Sequence, residues 1–159
     1  MSCDWVVEKI HSHKLEWVSI TGGEPLLHAD ELVELIPKLQ KKIYLETSGT
    51  LSERLKKVIG FCDVVAFDIK LPDCPGVVMD INDTIECIRL AKAKGIDFFC
   101  KVVITNDTDP VAFQNTLAQI VASCGTFSLV LMPATPVNSR TREPDSKKIS
   151  CLRRICSKL

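Results

Sequence analysis

Trp17-Val18-Ser19-Ile20-Thr21-Gly22-Gly23-Glu24-Pro25-Leu26-Leu27 is the stretch that decides the fold. A short apolar run ends in two glycines, an acid and a proline. This predicts a strand, a tight turn and the start of a helix. Glycine reaches backbone conformations that other residues avoid, and proline suits the first helical turn. Residues 29–41 then put Leu32, Leu35, Ile36 and Leu39 on one helical face.

The same rhythm continues along the chain. Apolar runs at 17–21, 43–48, 64–71, 98–105 and 127–133 read as strands, and 29–41, 51–61, 83–94 and 110–123 as the helices between them. Helices are also expected over 4–12 and 145–157. Thr50 and Glu53 fit a capping box, Gly95 a helix stop, and Asp109-Pro110 a cap followed by a helix start. Strictly alternating strands and helices predict an α/β fold with a parallel sheet and right-handed crossovers. The sheet is either open and doubly wound or part of a barrel. Residues 1–159 read as one domain, with 134–146, rich in Pro, Ser and Thr, as its flexible segment.

Side chains alternate across a strand, so each run divides into two faces. One face carries Val18, Ile20, Ile43, Leu45, Val65, Phe67, Ile69, Phe98, Cys100, Val102, Ile104, Phe127, Leu129 and Leu131, and it suits packing against helices. The other carries Ser19, Thr21, Tyr44, Glu46, Ser48, Ala66, Asp68, Lys70, Lys101 and Thr105. Buried charges need partners. Glu46, Asp68, Lys70 and Lys101 therefore line a polar cavity, form an ion-pair network, or do both. Most of these polar groups lie toward the C-terminal strand ends, where α/β sheets and barrels bind ligands.

The 159 residues carry 20 basic and 20 acidic side chains, so no global field draws the chain to nucleic acid or to a membrane surface. Lys147, Lys148, Arg153 and Arg154 read as a solvated helix face. No apolar run is long enough to cross a bilayer, and Met-Ser-Cys-Asp-Trp does not open a signal peptide. The expected location is the cytoplasm, with the eight cysteines reduced. No two cysteines have C-x-x-C spacing, so no metal site is expected from these residues, and Cys87 and Cys100 read as small buried apolar side chains.

Gly22-Gly23-Glu24-Pro25 resembles the GGEP motif of radical S-adenosylmethionine (SAM) enzymes. Glu46-Thr47-Ser48-Gly49-Thr50 is similar to the E-T-N-G or E-T-S-G run of that family, and Asp68-Ile69-Lys70 to the D-I-K run of its activases. The three motifs come in the family's order, each at a strand's C-terminal end. The resemblance covers roughly residues 15–135. It implies that Gly22, Gly23, Glu24 and Pro25 hold the methionine amino group of SAM. Glu46 and Ser48 would contact its ribose or methionine portion, and Asp68 and Lys70 would reach toward it. The implied reaction is reductive cleavage of SAM to a 5′-deoxyadenosyl radical. GGEPLLH with ETSGT resembles the 7-carboxy-7-deazaguanine synthase branch, which makes a precursor of modified tRNA bases. The D-I-K run resembles the activating enzymes of pyruvate formate-lyase. The implied partners are a small-molecule substrate or a glycyl-radical protein, with an electron donor such as flavodoxin or ferredoxin.

The family also implies a [4Fe–4S] cluster on three closely spaced cysteines ahead of GGEP, because soft thiolates suit iron–sulfur clusters. Only Cys3 precedes Gly22, and Cys74, after the third strand, stands alone. The expectation is thus a partial (β/α)6 TIM-like barrel lacking its first strand and cluster loop, with a sheet edge exposed. The chain is then a fragment of such an enzyme or a cluster-free SAM-binding module.

Overall fold

The computed structural model describes residues 3–72, 80–135 and 142–159. The elements are α1 (Cys3–His11), β1 (Trp17–Ile20), a 3-10 turn (Pro25–His28), α2 (Ala29–Leu39), β2 (Lys42–Thr47), α3 (Ser52–Val58) leading into a second 3-10 turn (Ile59–Phe61), β3 (Val64–Asp68), α4 (Ile81–Lys94), β4 (Asp97–Ile104), α5 (Pro110–Cys124), β5 (Leu129–Pro133) and α6 (Ser146–Cys156).

The five strands pair in parallel, in the order β1-β2-β3-β4-β5. A doubly wound sheet needs a reversal of strand order, and there is none. With right-handed crossovers, an unbroken order places successive helices on the same face. The helices accordingly pack α2 on α3, α3 on α4, α4 on α5 and α5 on α6. This is the arrangement of a barrel wall, and of the two architectures open to the sequence it is the barrel that forms.

The core lies between that helix layer and one face of the sheet. Ile43, Leu45, Val65, Phe67, Cys100, Val102 and Ile104 meet Leu32, Ile36, Leu55, Ile88, Phe113, Leu117 and Leu152 in one buried cluster. The face read as apolar is the helix face. On the opposite face Trp17, Val103, Val130 and Met132 stay exposed. No described helix is long and apolar enough to cross a membrane.

Local signals set most helix ends. Asp80, Asp109 and Asp145 each accept a hydrogen bond from a backbone N–H of the first turn that follows. Gly95 ends α4 at φ 66°, where a residue with a Cβ is strained. The Lys92 ammonium donates to the carbonyls of Cys124 and Thr126, at 2.6 and 2.9 Å, and so closes the C-terminus of α5.

Three expectations change. The Thr50–Glu53 capping box does not form: the cap position is Leu51, the Thr50 hydroxyl is bonded to that of Ser48, and Glu53 pairs with Lys56. The third strand ends at Asp68 rather than at residue 71, although the Ile69 N–H still donates to the Lys101 carbonyl. The fifth begins at Leu129, with Phe127 packed beside the core ahead of it. Of the expected flexible segment, residues 136–141 lie outside the described residues, as does Cys74. Its described flanks are tied down: the Ala134 N–H donates to the Ile104 carbonyl, and Arg142 pairs with Asp107.

Burial pushes the thiols of Cys62, Cys87 and Cys100 up to about 12, with nearby carboxylates adding to it at the first two. From an ordinary value of 9.0, the folded state thus favours the neutral thiol. That contribution to stability is complete below about pH 9 and is lost as pH rises toward 12. Urea denaturation should therefore show stability falling across that window. Iodoacetamide at pH 8 should modify the partly exposed Cys3 and Cys151 in the folded chain, with Cys62, Cys87 and Cys100 protected until denaturant is added. Rapid native-state alkylation of Cys100, read by mass spectrometry, would contradict this account.

Candidate functional site

Three strand ends and the turns that follow them build one cleft. After β1, Gly22 and Gly23 take φ 92° and 51°, a left-handed path that other residues avoid. A Cβ built on either would meet nothing within 4 Å, so their requirement is conformational and the space before them is open. The path delivers Glu24 to the end of β2. Its Oε1 accepts from the Leu26 N–H at 3.0 Å and from the Thr47 hydroxyl at 2.7 Å, and its Oε2 accepts from the Ser48 N–H at 2.7 Å. Glu24 thus joins the first turn to the second strand. Pro25 follows, buried, as the first residue of the 3-10 turn.

The second turn is set by Gly49, at φ 65°. A Cβ there would meet Phe67 Cδ1 at 3.3 Å, so the turn lies directly on the buried ring below it. At the end of β3 the Lys70 ammonium donates to Asp68 Oδ2 at 2.6 Å. Asp68 Oδ1 is buried and has no hydrogen-bond partner. A buried carboxylate oxygen left this way is costly unless a donor reaches it.

On β4, Lys101 stands directly opposite Asp68 of β3 in register, yet it pairs with Glu46 on β2. Ala66 is the residue opposite Glu46 on the intervening strand, and its small side chain leaves room for the lysine to cross β3. One layer below, Tyr44 and Phe99 stack across the same gap with ring centroids 6.3 Å apart. Burial, and then the nearby Glu46 carboxylate, raise the Tyr44 phenol above its ordinary value, so it stays protonated beside Glu46.

The resulting cleft has a volume of about 280 Å³ and is lined by Thr21, Gly22, Gly23, Glu24, Glu46, Thr47, Ser48, Asp68, Lys70 and Lys101. Of the eight residues read from the sequence as the site, it brings together Gly22, Gly23, Glu24, Glu46, Ser48, Asp68 and Lys70; Pro25 packs beneath it. The cavity and the ion-pair network are the same structure. Lys101 was legible as a polar-face charge, though not as the partner of Glu46. Thr47 was hidden by the alternation that assigns it to the apolar face. Larger apolar grooves, one between α5, β5 and α6, lie away from these strand ends.

A thiolate cluster site is not among the described residues. No three His, Cys, Asp or Glu side chains converge there as metal ligands, and the cleft lining contains no cysteine.

No protein-family profile matches the chain. Among curated proteins it is 32% identical over 120 residues to the 7-carboxy-7-deazaguanine synthase of Geobacter sulfurreducens, covering 74% of this chain and 47% of that one. It is 34% identical over 138 residues to that of Archaeoglobus fulgidus, covering 84% and 58%. The chain is thus similar in sequence to curated 7-carboxy-7-deazaguanine synthases. It spans about half the length of the curated synthases it matches. Among solved structures, a domain of pyruvate-formate lyase-activating enzyme from Bacteroides vulgatus superimposes with a TM-score of 0.66 at 17% identity, over 89% of this chain and 92% of that one. Native anSMEcpe with bound AdoMet gives a TM-score of 0.67 at 17% identity, over 98% and 49%. The chain shares the fold of these neighbours, a TIM-barrel-like parallel sheet with helices on one face.

The Glu46–Lys101 pair is mostly buried, with 29% and 15% of the two side chains exposed. Lys101→Met removes one partner and leaves Glu46 with Tyr44. The expected loss in urea denaturation is on the order of 1–2 kcal/mol, below the roughly 3–5 kcal/mol of a fully buried pair because both ends keep some water contact. The double variant Glu46→Gln with Lys101→Met should recover part of that loss. Strictly additive losses would show that the two side chains do not interact.

Proposed function

We propose that this cleft binds the amino-acid end of SAM and that the chain is the SAM-holding part of a radical SAM enzyme of the 7-carboxy-7-deazaguanine synthase kind. The observation that carries the proposal is the convergence of three motif turns on one small polar cleft. Its fittings match a zwitterion. Asp68 Oδ1 lacks a donor, and Glu24 Oε2 accepts one hydrogen bond where a carboxylate oxygen can take about two. Both suit an ammonium group. Lys70 and Lys101 supply the cations for a carboxylate, each now paired to an acid that can exchange partners. Ser48 and Glu46 supply polar groups for ribose hydroxyls. At about 280 Å³ the cleft is near the lower end of ligand cavities, roughly 300 Å³, so the methionine portion fills it and the nucleoside extends over the open sheet face.

Bound SAM would supply a sulfonium whose reductive cleavage yields a hydrogen-abstracting 5′-deoxyadenosyl radical. The described residues do not form the thiolate site of an iron–sulfur cluster, and no step here runs through one. What they do is grip, orient and neutralise the two charges of an amino acid. The curated synthase relatives favour a small-molecule substrate, 6-carboxytetrahydropterin by the resemblance, over the glycine of a glycyl-radical protein.

Calorimetry with SAM should give saturable one-site binding to the chain. Asp68→Ala should weaken it at least about tenfold, the effect of losing one hydrogen bond to a charged group. Unchanged affinity removes Asp68 from the site. Substrate choice is read separately, with a reconstituted enzyme that contains this domain, using 6-carboxytetrahydropterin against a glycyl-radical protein; product from the latter alone would overturn the substrate assignment.

A further inference from the structure

Thr47 is out of character for its position. Alternation along β2 puts it with Ile43 and Leu45 on the helix face, opposite Phe67 in register, and it is 3% exposed. A valine would suit that surface better. Its hydroxyl both donates and accepts: it donates to Glu24 Oε1 at 2.7 Å and accepts from the Gly49 N–H at 3.3 Å. One buried side chain therefore holds the acid of the first turn and the left-handed glycine of the second. The next residue, Ser48, donates its N–H to the other oxygen of the same carboxylate.

A carboxylate offers about four acceptor positions. The Leu26 N–H and the Thr47 hydroxyl occupy both positions on Oε1, and the Ser48 N–H occupies one on Oε2. The remaining position is on Oε2, in a side chain that lines the cleft.

We infer that Thr47 is a positioning residue for ligand binding: by saturating Oε1 it turns Glu24 so that Oε2 is the atom offered to a ligand's ammonium group. This deepens the SAM reading and rests on it for the identity of the ligand. The positioning itself is a property of the free chain. Thr47 acts through Glu24 and Gly49, the two groups its hydroxyl holds.

The test compares Thr47→Val, which keeps the shape and removes the hydroxyl, with Thr47→Ser, which restores it. Amide hydrogen exchange on the ligand-free chain should be faster in Thr47→Val at Leu26, Ser48 and Gly49, with Val65 in the core strand unchanged. Thr47→Ser should match the parent chain. SAM should bind Thr47→Val about tenfold more weakly, while an analogue lacking the α-amino group should bind both chains alike. Uniformly faster exchange across the sheet would reduce Thr47 to a general stability role and overturn the inference. So would equal SAM affinity in the parent and valine chains. If the parent chain binds no SAM, the functional proposal falls while the exchange pattern still decides whether Thr47 orders the cleft. Thr47→Cys, with a weaker donor, carries the same expectations if Thr47→Val does not fold.

Discussion

Strand order is the constraint on which everything else rests. Five parallel strands follow one another without a reversal, so each right-handed crossover lays its helix on the same side. The helices and one sheet face form the apolar core. The other face receives none of them, and its side chains answer to a different requirement. There the sheet can keep Glu46, Asp68, Lys70 and Lys101 without sealing them in hydrocarbon. Each remains 15–31% exposed while paired to an opposite charge.

The site follows from this arrangement. A parallel sheet sends every strand's C-terminal end the same way, so the turns after β1, β2 and β3 emerge together. Glu24 converts that neighbourhood into a joint by accepting hydrogen bonds from its own turn and from two consecutive residues of the next. Neither ion pair follows register. Lys101 passes over Ala66 to reach Glu46, and Lys70 folds back on Asp68. A cleft held by exchangeable pairs and one orphaned carboxylate oxygen is suited to a ligand that carries both charges.

Much of this was legible in the sequence because periodicity and position act locally. Alternation picked out the core face, and the apolar residues it assigned there pack in or against the core in every strand. The double glycine before Glu24 marked a turn that positive φ angles require. What was not legible depends on contacts between distant segments. Thr50 has the spacing of a cap, but Ser48 takes its hydroxyl. Thr47 counts as one polar residue on an apolar face, and its meaning depends on a carboxylate 23 residues earlier. Register alone would join Lys101 to Asp68, but Asp68 is taken by Lys70 and Lys101 pairs with Glu46 across β3.

Because each strand pairs only with the strands before and after it in sequence, the sheet needs no late closure between distant parts of the chain. Every ladder closes over a single crossover, so no addition closes a longer loop than one strand–helix unit. Such a sheet can grow one unit at a time as the polypeptide leaves the ribosome, the edge strand serving as the template for the next.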